Sequence, residues 1–218
     1  VGMGGNFVMA SPDTDLTFEA MKNCALTVHV STKLNRSHLI HGKQALILPC
    51  LARSEVDQQA SGPQRVTVED SMGCVHASQG HRTPPSEALK SEPAIIAGMA
   101  HATVGSETIP WHSFVEDYAR IRGKIEEVIP LFEGYEEKLE QPGGFLLRNS
   151  AAHRDWKTPS SRAQFHVVPT PKIEIPEGAL RLFTIRSHDQ YNTTIYGMDD
   201  RYRGIVNERR VLFMNPED

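Results

Sequence analysis

Short apolar runs alternating with polar connections set the pattern of the first hundred residues. Residues 6–10, 26–30, 45–48 and 65–68 read as strands, and residues 16–23 as an intervening helix. Strand, helix and strand in that order predict a parallel sheet with crossovers, an α/β arrangement. Residues 73–85 mix Gly, Ser, His and Pro without periodicity and read as loop. Ser91-Glu92-Pro93 then opens a helix, because Ser is a good N-cap and Pro is tolerated in the first turn; Gly105 is placed to stop it. Phe114, Val115, Tyr118, Ile121, Ile125 and Val128 recur at helical spacing, which predicts a second helix over 111–128, interrupted at Pro130.

Gln141-Pro142-Gly143-Gly144 reads as a boundary, since adjacent Pro and Gly neither continue a helix nor pack a core strand. From there to residue 177 the chain is rich in Pro, Ser and Thr, with one short strand expected at 163–168. Residues 180–185 and 210–214 look like the first strands of a second, mainly β domain. A barrel or sandwich needs more strands than these to close its edges, so the chain reads as a piece of a longer protein.

Composition narrows the function classes. With 39% hydrophobic and 23% charged residues, the 218-residue chain has the make-up of an ordinary globular protein. No apolar run approaches the roughly 18 residues that span a bilayer, and no segment looks like a signal peptide. A cytoplasmic protein without a membrane partner is therefore expected. A net charge of -4 argues against a nucleic-acid partner, whose phosphates require clustered Lys and Arg. Arg181, Arg186, Arg201, Arg203, Arg209 and Arg210 nevertheless crowd the C-terminal segment, which leaves room for a local phosphate site. Three cysteines, an odd number, read as reduced thiols.

Gly2-Met3-Gly4-Gly5-Asn6 fails as a dinucleotide fingerprint: Phe7 holds the third glycine position, and the segment leads into a strand-like run instead of a helix. Its glycines still let backbone amides approach a ligand, although an ordinary tight turn would use them too. Beyond the strand 26–30, Ser31-Thr32-Lys33-Leu34-Asn35-Arg36-Ser37-His38 gathers hydroxyls, amide and guanidinium where parallel sheets bind ligands, with a plain solvated loop as the competing reading. Cys74-Val75-His76, with Cys50, His81 and His101 elsewhere, lacks the paired spacing of a tetrahedral zinc site, so no metal is expected there. Ser187-His188-Asp189 spells a hydrolase triad only in letters, because neighbours on an extended strand point to opposite faces.

The densest chemistry lies at Thr184-Ile185-Arg186-Ser187-His188-Asp189-Gln190-Tyr191-Asn192-Thr193-Thr194, followed by Gly197, Arg201 and Arg203. An apolar strand runs into a row of hydrogen-bonding side chains, which suits a polyanionic ligand with many polar groups. Arg186 offers a rigid fork for phosphate oxygens, while Ser187, His188, Gln190, Asn192, Thr193 and Thr194 supply mixed donors and acceptors; Asn215, after the last strand, joins the set.

Taken together, these stretches resemble the molybdopterin oxidoreductases, in particular the formate dehydrogenase alpha subunit-like branch of the bis-molybdopterin guanine dinucleotide enzymes. The resemblance runs along essentially the whole chain as an internal and C-terminal piece of a longer catalytic subunit. It implies a Rossmann-like parallel-sheet portion of a molybdopterin domain (1–107), a helical and irregular connector (108–177) and the start of a double-psi β-barrel domain (178–218). It places Gly5, Asn6 and Phe7, with Pro12-Asp13 behind them, against one pterin guanine dinucleotide. The loop carrying Thr32, Asn35 and His38 corresponds to the one that grips the guanosine end, although Ser31 and Thr32 stand where the family has an acid. Gln190 stands where the family often has a histidine near the pterin-metal centre. Thr158-Pro159-Ser160-Ser161-Arg162-Ala163-Gln164-Phe165 matches a structural linker strand, with Ser161 in place of the usual glycine. The implied cofactor is molybdenum held by two molybdopterin guanine dinucleotides. Iron-sulfur cysteines and metal-proximal catalytic residues are expected upstream, outside this sequence. The implied partners are a small substrate, formate by analogy with the family name, and an electron-transfer subunit. A non-catalytic nucleotide-binding or interaction module is the alternative.

Overall fold

A computed structural model describes residues 1–191 and 194–217, except for the side chain of Thr194. The chain opens with β1 (Gly2–Met3), α1 (Phe7–Ala10), α2 (Thr14–Lys22) and β2 (Leu26–Ser31), passes a 3-10 turn at Arg36–Leu39, and continues into β3 (Gln44–Pro49). These strands form a parallel sheet in the order β1-β2-β3, with Gly2 opposite His29 and Leu26 to Ser31 in register with Gln44 to Pro49. The expected α/β arrangement with a parallel sheet is present. Asp13 fixes the start of α2 by accepting a hydrogen bond from the Leu16 amide at 3.0 Å, and Asp15 and Lys22 lie at the ends that the helix dipole favours. Residues 7–10 form a helical turn instead of the expected strand: Asn6 O accepts from the Met9 and Ala10 amides, and both the amide and hydroxyl of Ser11 bond to Phe7 O. The apolar run was too short for its periodicity to separate helix from strand.

Both clusters of buried hydrophobic residues lie in the next part of the chain. β4 (Gln58–Gln59) and β5 (Gly62–Pro63) make a small hairpin, and β6 (Val66–Glu69) pairs antiparallel with β7 (Cys74–Ser78). β7 falls inside the expected loop 73–85; it is fixed by its partner and by Asp70, whose carboxylate accepts the Met72 and Cys74 amides across the turn. Four helices follow: α3 (Glu92–Val104), α4 (Trp111–Glu116), α5 (Ala119–Val128) and α6 (Tyr135–Leu139). α3 runs from the Ser91 cap to Gly105, as expected. The single helix expected over 111–128 is broken at Asp117, whose φ of -153° and ψ of 111° are extended. The break turns Tyr118 inward, where its amide donates to Gln64 Oε1 at 2.8 Å.

β8 (Phe145–Leu146) adds to β7 after a Gly143-Gly144 turn; Gly144 has a φ of 76°, and a Cβ there would run into the Val75 carbonyl. Val75, Tyr135 and Leu139 form one buried cluster, with Ile125, Phe132 and Phe145 against it. Ala97, Val115 and Tyr118 form the other, with Val66, Trp111 and Ile121. Arg122, 6% exposed, pairs with Glu136 and donates to the Arg65 carbonyl at 3.0 Å. This satisfies a buried cation that would otherwise be costly.

Beyond residue 147 regular structure thins to a two-stranded hairpin, β9 (Gln190–Tyr191) and β10 (Thr194–Ile195). The strands expected at 163–168, 180–185 and 210–214 are absent. These segments lack ladder partners, and their apolar side chains face outward, with Val167 98% and Leu182 75% exposed. Strand propensity without a neighbouring strand leaves only an unpaired chain. Among the described residues no helix is long and apolar enough to cross a membrane.

This distribution of burial predicts that Leu139→Ala destabilises the protein by about 2 to 5 kcal/mol. Leu182→Ala is expected to stay within roughly 0.5 kcal/mol of wild type in urea unfolding.

Candidate functional site

The carboxyl ends of β1 and β2 bring the two N-terminal loops together. The Gly4 amide extends the β1–β2 ladder by donating to Val30 O at 2.9 Å, and the chain then turns through the left-handed φ of 62° at Gly4. A Cβ at Gly4 would lie 3.0 Å from Glu92 Oε1, so a side chain there would crowd the first turn of α3. Asn35 laces the loops together, with its Nδ2 donating to Gly5 O at 3.3 Å and its Oδ1 accepting from Ser37 N at 2.9 Å. Ser37 Oγ, 1% exposed, donates to Asn6 Oδ1 at 2.6 Å. Lys33 and Arg36 are exposed at the rim, Arg36 lying 5.9 Å from the Phe18 ring centroid.

Behind these loops two imidazoles meet. The rings of His29 and His38 are 4.9 Å apart and tilted by 41°, and each residue is 7% exposed. Nε2 of each is buried without a hydrogen-bond partner among the described residues. Burial, then neighbouring His38, then the amino terminus hold His29 below its ordinary pKa.

The C-terminal candidates surround Arg209. Its Nε donates to Gly197 O at 2.7 Å, Nη1 to Ser187 Oγ and His188 O, and Nη2 to Gly197 O and Asp199 O. A guanidinium has five N–H donors, and these contacts occupy all of them. Asp200, fully buried, accepts from the amides of His188 at 2.9 Å and Tyr202 at 3.1 Å and pairs with Arg203. The His188 amide bond is the chief reason its carboxyl lies below the ordinary range, with Arg203 adding to it. Residues 188–189 form a turn, with Asp189 at φ 54°, in place of the extended strand expected there. Ser187 Oγ is held by Arg209, so the Ser-His-Asp letters do not make a triad.

Two cavities lie among the described residues, of which the second adjoins these groups. One, of about 340 Å³, is lined by Leu51, Glu55, Asp57, Ser91, Glu92 and Tyr118 among others. The Tyr118 hydroxyl donates to the Asp57 carboxylate and lies 2.8 Å from Ser91 Oγ. Desolvation, then Asp57, push this phenol well above its ordinary 10.0, so it stays a proton-bearing donor. Ser91 makes no capping bond with its side chain; its hydroxyl meets Tyr118 instead. The other cavity, of about 720 Å³, lies between segments 180–185 and 211–215, with Arg203 and Arg209 in its wall.

The candidate residues therefore divide. Gly5, Asn6, Asn35 and His38 belong to one bonded cluster; Phe7 is exposed beside it, and Thr32 is exposed and makes no hydrogen bond among the described residues. Ser187, His188 and Gln190 lie together around Arg209 and Asp200, with Gln190 Oε1 3.5 Å from the Ser187 amide. Arg186 is exposed without a hydrogen bond among the described residues, and Asn215 lines the larger cavity. Asn192 and Thr193 lie outside the described residues, as does the side chain of Thr194. Ser37, Arg209 and Asp200 are the ties that sequence reading missed. The only signal for Asp200 is its place just ahead of the Arg201-Tyr202-Arg203-Gly204 turn.

No family model matches the chain, and no solved structure matches it. It is 51% identical to protein YdeP of Shigella flexneri over 217 residues and 50% identical to protein YdeP of Escherichia coli K12, in each case over 98% of this chain. It is also 50% identical over 220 residues, 100% of the chain, to a Mycobacterium tuberculosis H37Rv protein named an uncharacterized oxidoreductase. The chain spans 28% of the length of each of these relatives.

Arg209→Lys cannot reproduce the fork, and it is expected to cost about 1.5 to 3 kcal/mol and to speed amide exchange over 187–200. Asp200 makes a separate pH prediction. Its folded pKa is lowered, so its contribution is full above the ordinary value of 3.8 and is lost as pH falls below it. Protection over 188–205, corrected for intrinsic exchange rates, should therefore be unchanged from neutral pH down to about 4.5 and fall only below that.

Proposed function

We propose that this chain is part of the catalytic subunit of a molybdenum-dependent oxidoreductase and supplies contacts to a bis-molybdopterin guanine dinucleotide cofactor. The observation that carries this reading is the Gly4-Gly5-Asn6 turn laced to Asn35 and Ser37 at the carboxyl ends of parallel strands, where α/β sheets bind nucleotides. The name carried by the mycobacterial relative supports the oxidoreductase class. The family resemblance supports the cofactor. In this reading the parallel sheet belongs to a Rossmann-like domain, and residues 178–218 open a double-psi barrel.

The donor set fits such a group. Gly5 presents its backbone without a Cβ, and Lys33 and Arg36 stand exposed on the same edge, as a phosphate or guanine requires. Among the six C-terminal arginines, Arg209 and Arg203 are committed to Gly197 and Asp200, and Arg181 and Arg201 lie over the Phe183 and Tyr202 rings; of the exposed Arg186 and Arg210, Arg186 adjoins Ser187 and His188 and is the side chain suited to a pterin or phosphate oxygen. Ser187, His188 and Gln190 would flank it, with Asn192, Thr193, Thr194 and Asn215 completing the polar set. When bound, the cofactor supplies the two-electron redox chemistry, and the protein positions it and excludes water. The substrate is a small molecule, formate by analogy; an electron-transfer subunit and a cytoplasmic setting complete the reading.

The test is mass analysis of cofactor extracted from the full-length protein. Stoichiometric molybdopterin guanine dinucleotide is expected in wild type, with a several-fold loss in Arg186→Ala that retains its fold. Well-folded wild type without pterin would refute the proposal and favour a non-catalytic nucleotide-binding module.

A further inference from the structure

We propose that His29 and His38 form an acid-sensitive latch that holds the loop after β2, and through it Gly5 and Asn6, in place. The latch is independent of which ligand the loop takes. Its basis is the proton count on His38. Nδ1 of that ring lies 3.0 Å from the Asn35 amide nitrogen and 3.1 Å from the Asn35 carbonyl oxygen. The carbonyl already accepts the His38 amide at 3.1 Å, whereas the Asn35 N–H points at the ring. Nδ1 is therefore the acceptor, and the proton of the neutral ring sits on Nε2.

That Nε2 is buried and unpartnered, as is Nε2 of His29 across the 4.9 Å ring contact. Two neutral imidazoles tolerate this pocket; an imidazolium finds no counter-charge. α1 and β3 pack against the pair's own elements and carry no titratable side chain. On the β1 side the charged group facing His29 is the amino terminus, which is positive. Arg36, next to the latch in sequence, is positive too and stands over Phe18.

Protonation of His29 sets an uncompensated charge against the His38 ring, whose Nδ1 accepts the Asn35 amide, and displacing that ring breaks the cap that closes the 3-10 turn. Asn35 is the residue whose side chain holds Gly5 O and Ser37 N, and Ser37 in turn holds Asn6. Loss of the cap therefore loosens the candidate ligand loop and not only the turn. The direction follows from burial. His29 is held below its ordinary value of 6.5, so the unfolded chain binds more protons below that pH, and stability is full above it and declines as pH falls.

Hydrogen exchange of the full-length protein, corrected for intrinsic rates, tests this. Between about pH 7.5 and pH 5, protection over residues 31–39 and 4–10 should hold down to about pH 6.5 and then fall by up to about tenfold per pH unit as His29 titrates. His29→Gln removes the titrating ring and leaves His38 to accept the Asn35 amide; its protection should change less than about twofold over the same range. Wild-type protection that is flat over this range, or an equal loss in His29→Gln, would overturn the latch. Should the variant not fold, nitrogen NMR of the wild-type rings decides: a His38 proton on Nε2 at neutral pH supports the latch, and one on Nδ1 refutes it.

Discussion

The pairing of β2 on both of its edges is the constraint on which the N-terminal site depends. Six residues in register with β3 on one side and two with β1 on the other fix its height in the sheet, and the Gly4 amide to Val30 carbonyl bond prolongs that register by one residue. Because the strands are parallel, the chain leaves β1 and β2 at the same edge. The loops 4–6 and 31–38 then meet without any further device, and Asn35 and Ser37 need only short side chains to join them. A slip of one residue in β2 would exchange its two faces, turning His29 out of the sheet and Val28 towards His38.

Part of this was legible in the sequence. α3 carried its own start signal in Ser91-Glu92-Pro93, and α2, β2 and β3 are runs long enough to declare themselves. What failed was whatever depends on a partner. β7 reads as Cys-Val-His-Ala-Ser, a composition with little strand preference, and becomes a strand because β6 and β8 flank it. Residues 180–185 have the opposite problem, with good strand composition and no neighbour. Asp117 breaks a helix whose spacing is intact because Tyr118 finds Gln64, Ser91 and Asp57, all distant in sequence.

The same distinction governs the site. Its glycine turn and polar loops were visible as residue types, but their ties were not. The six clustered arginines looked alike in sequence, yet the fold separates them: Arg209 spends every donor on the protein, Arg203 neutralises a buried carboxylate, and Arg186 faces solvent. Arginine is suited to each task because its fork is rigid and its charge permanent, and only the geometry of the acceptors reveals which task it performs.

The two halves of the candidate site are therefore organised by different physics. The N-terminal half is set by backbone ladders, so its loops are positioned before a ligand arrives and binding there costs little ordering. The C-terminal half is held by one guanidinium and one carboxylate acting on turn carbonyls and amides, with extended, largely exposed chain on either side. A ligand that contacts residues 180–215 must order that chain at the moment of binding, and its affinity falls by that cost. Strengthening the Arg209 and Asp200 network would improve binding even with no new contact to the ligand, because it moves the ordering cost into folding.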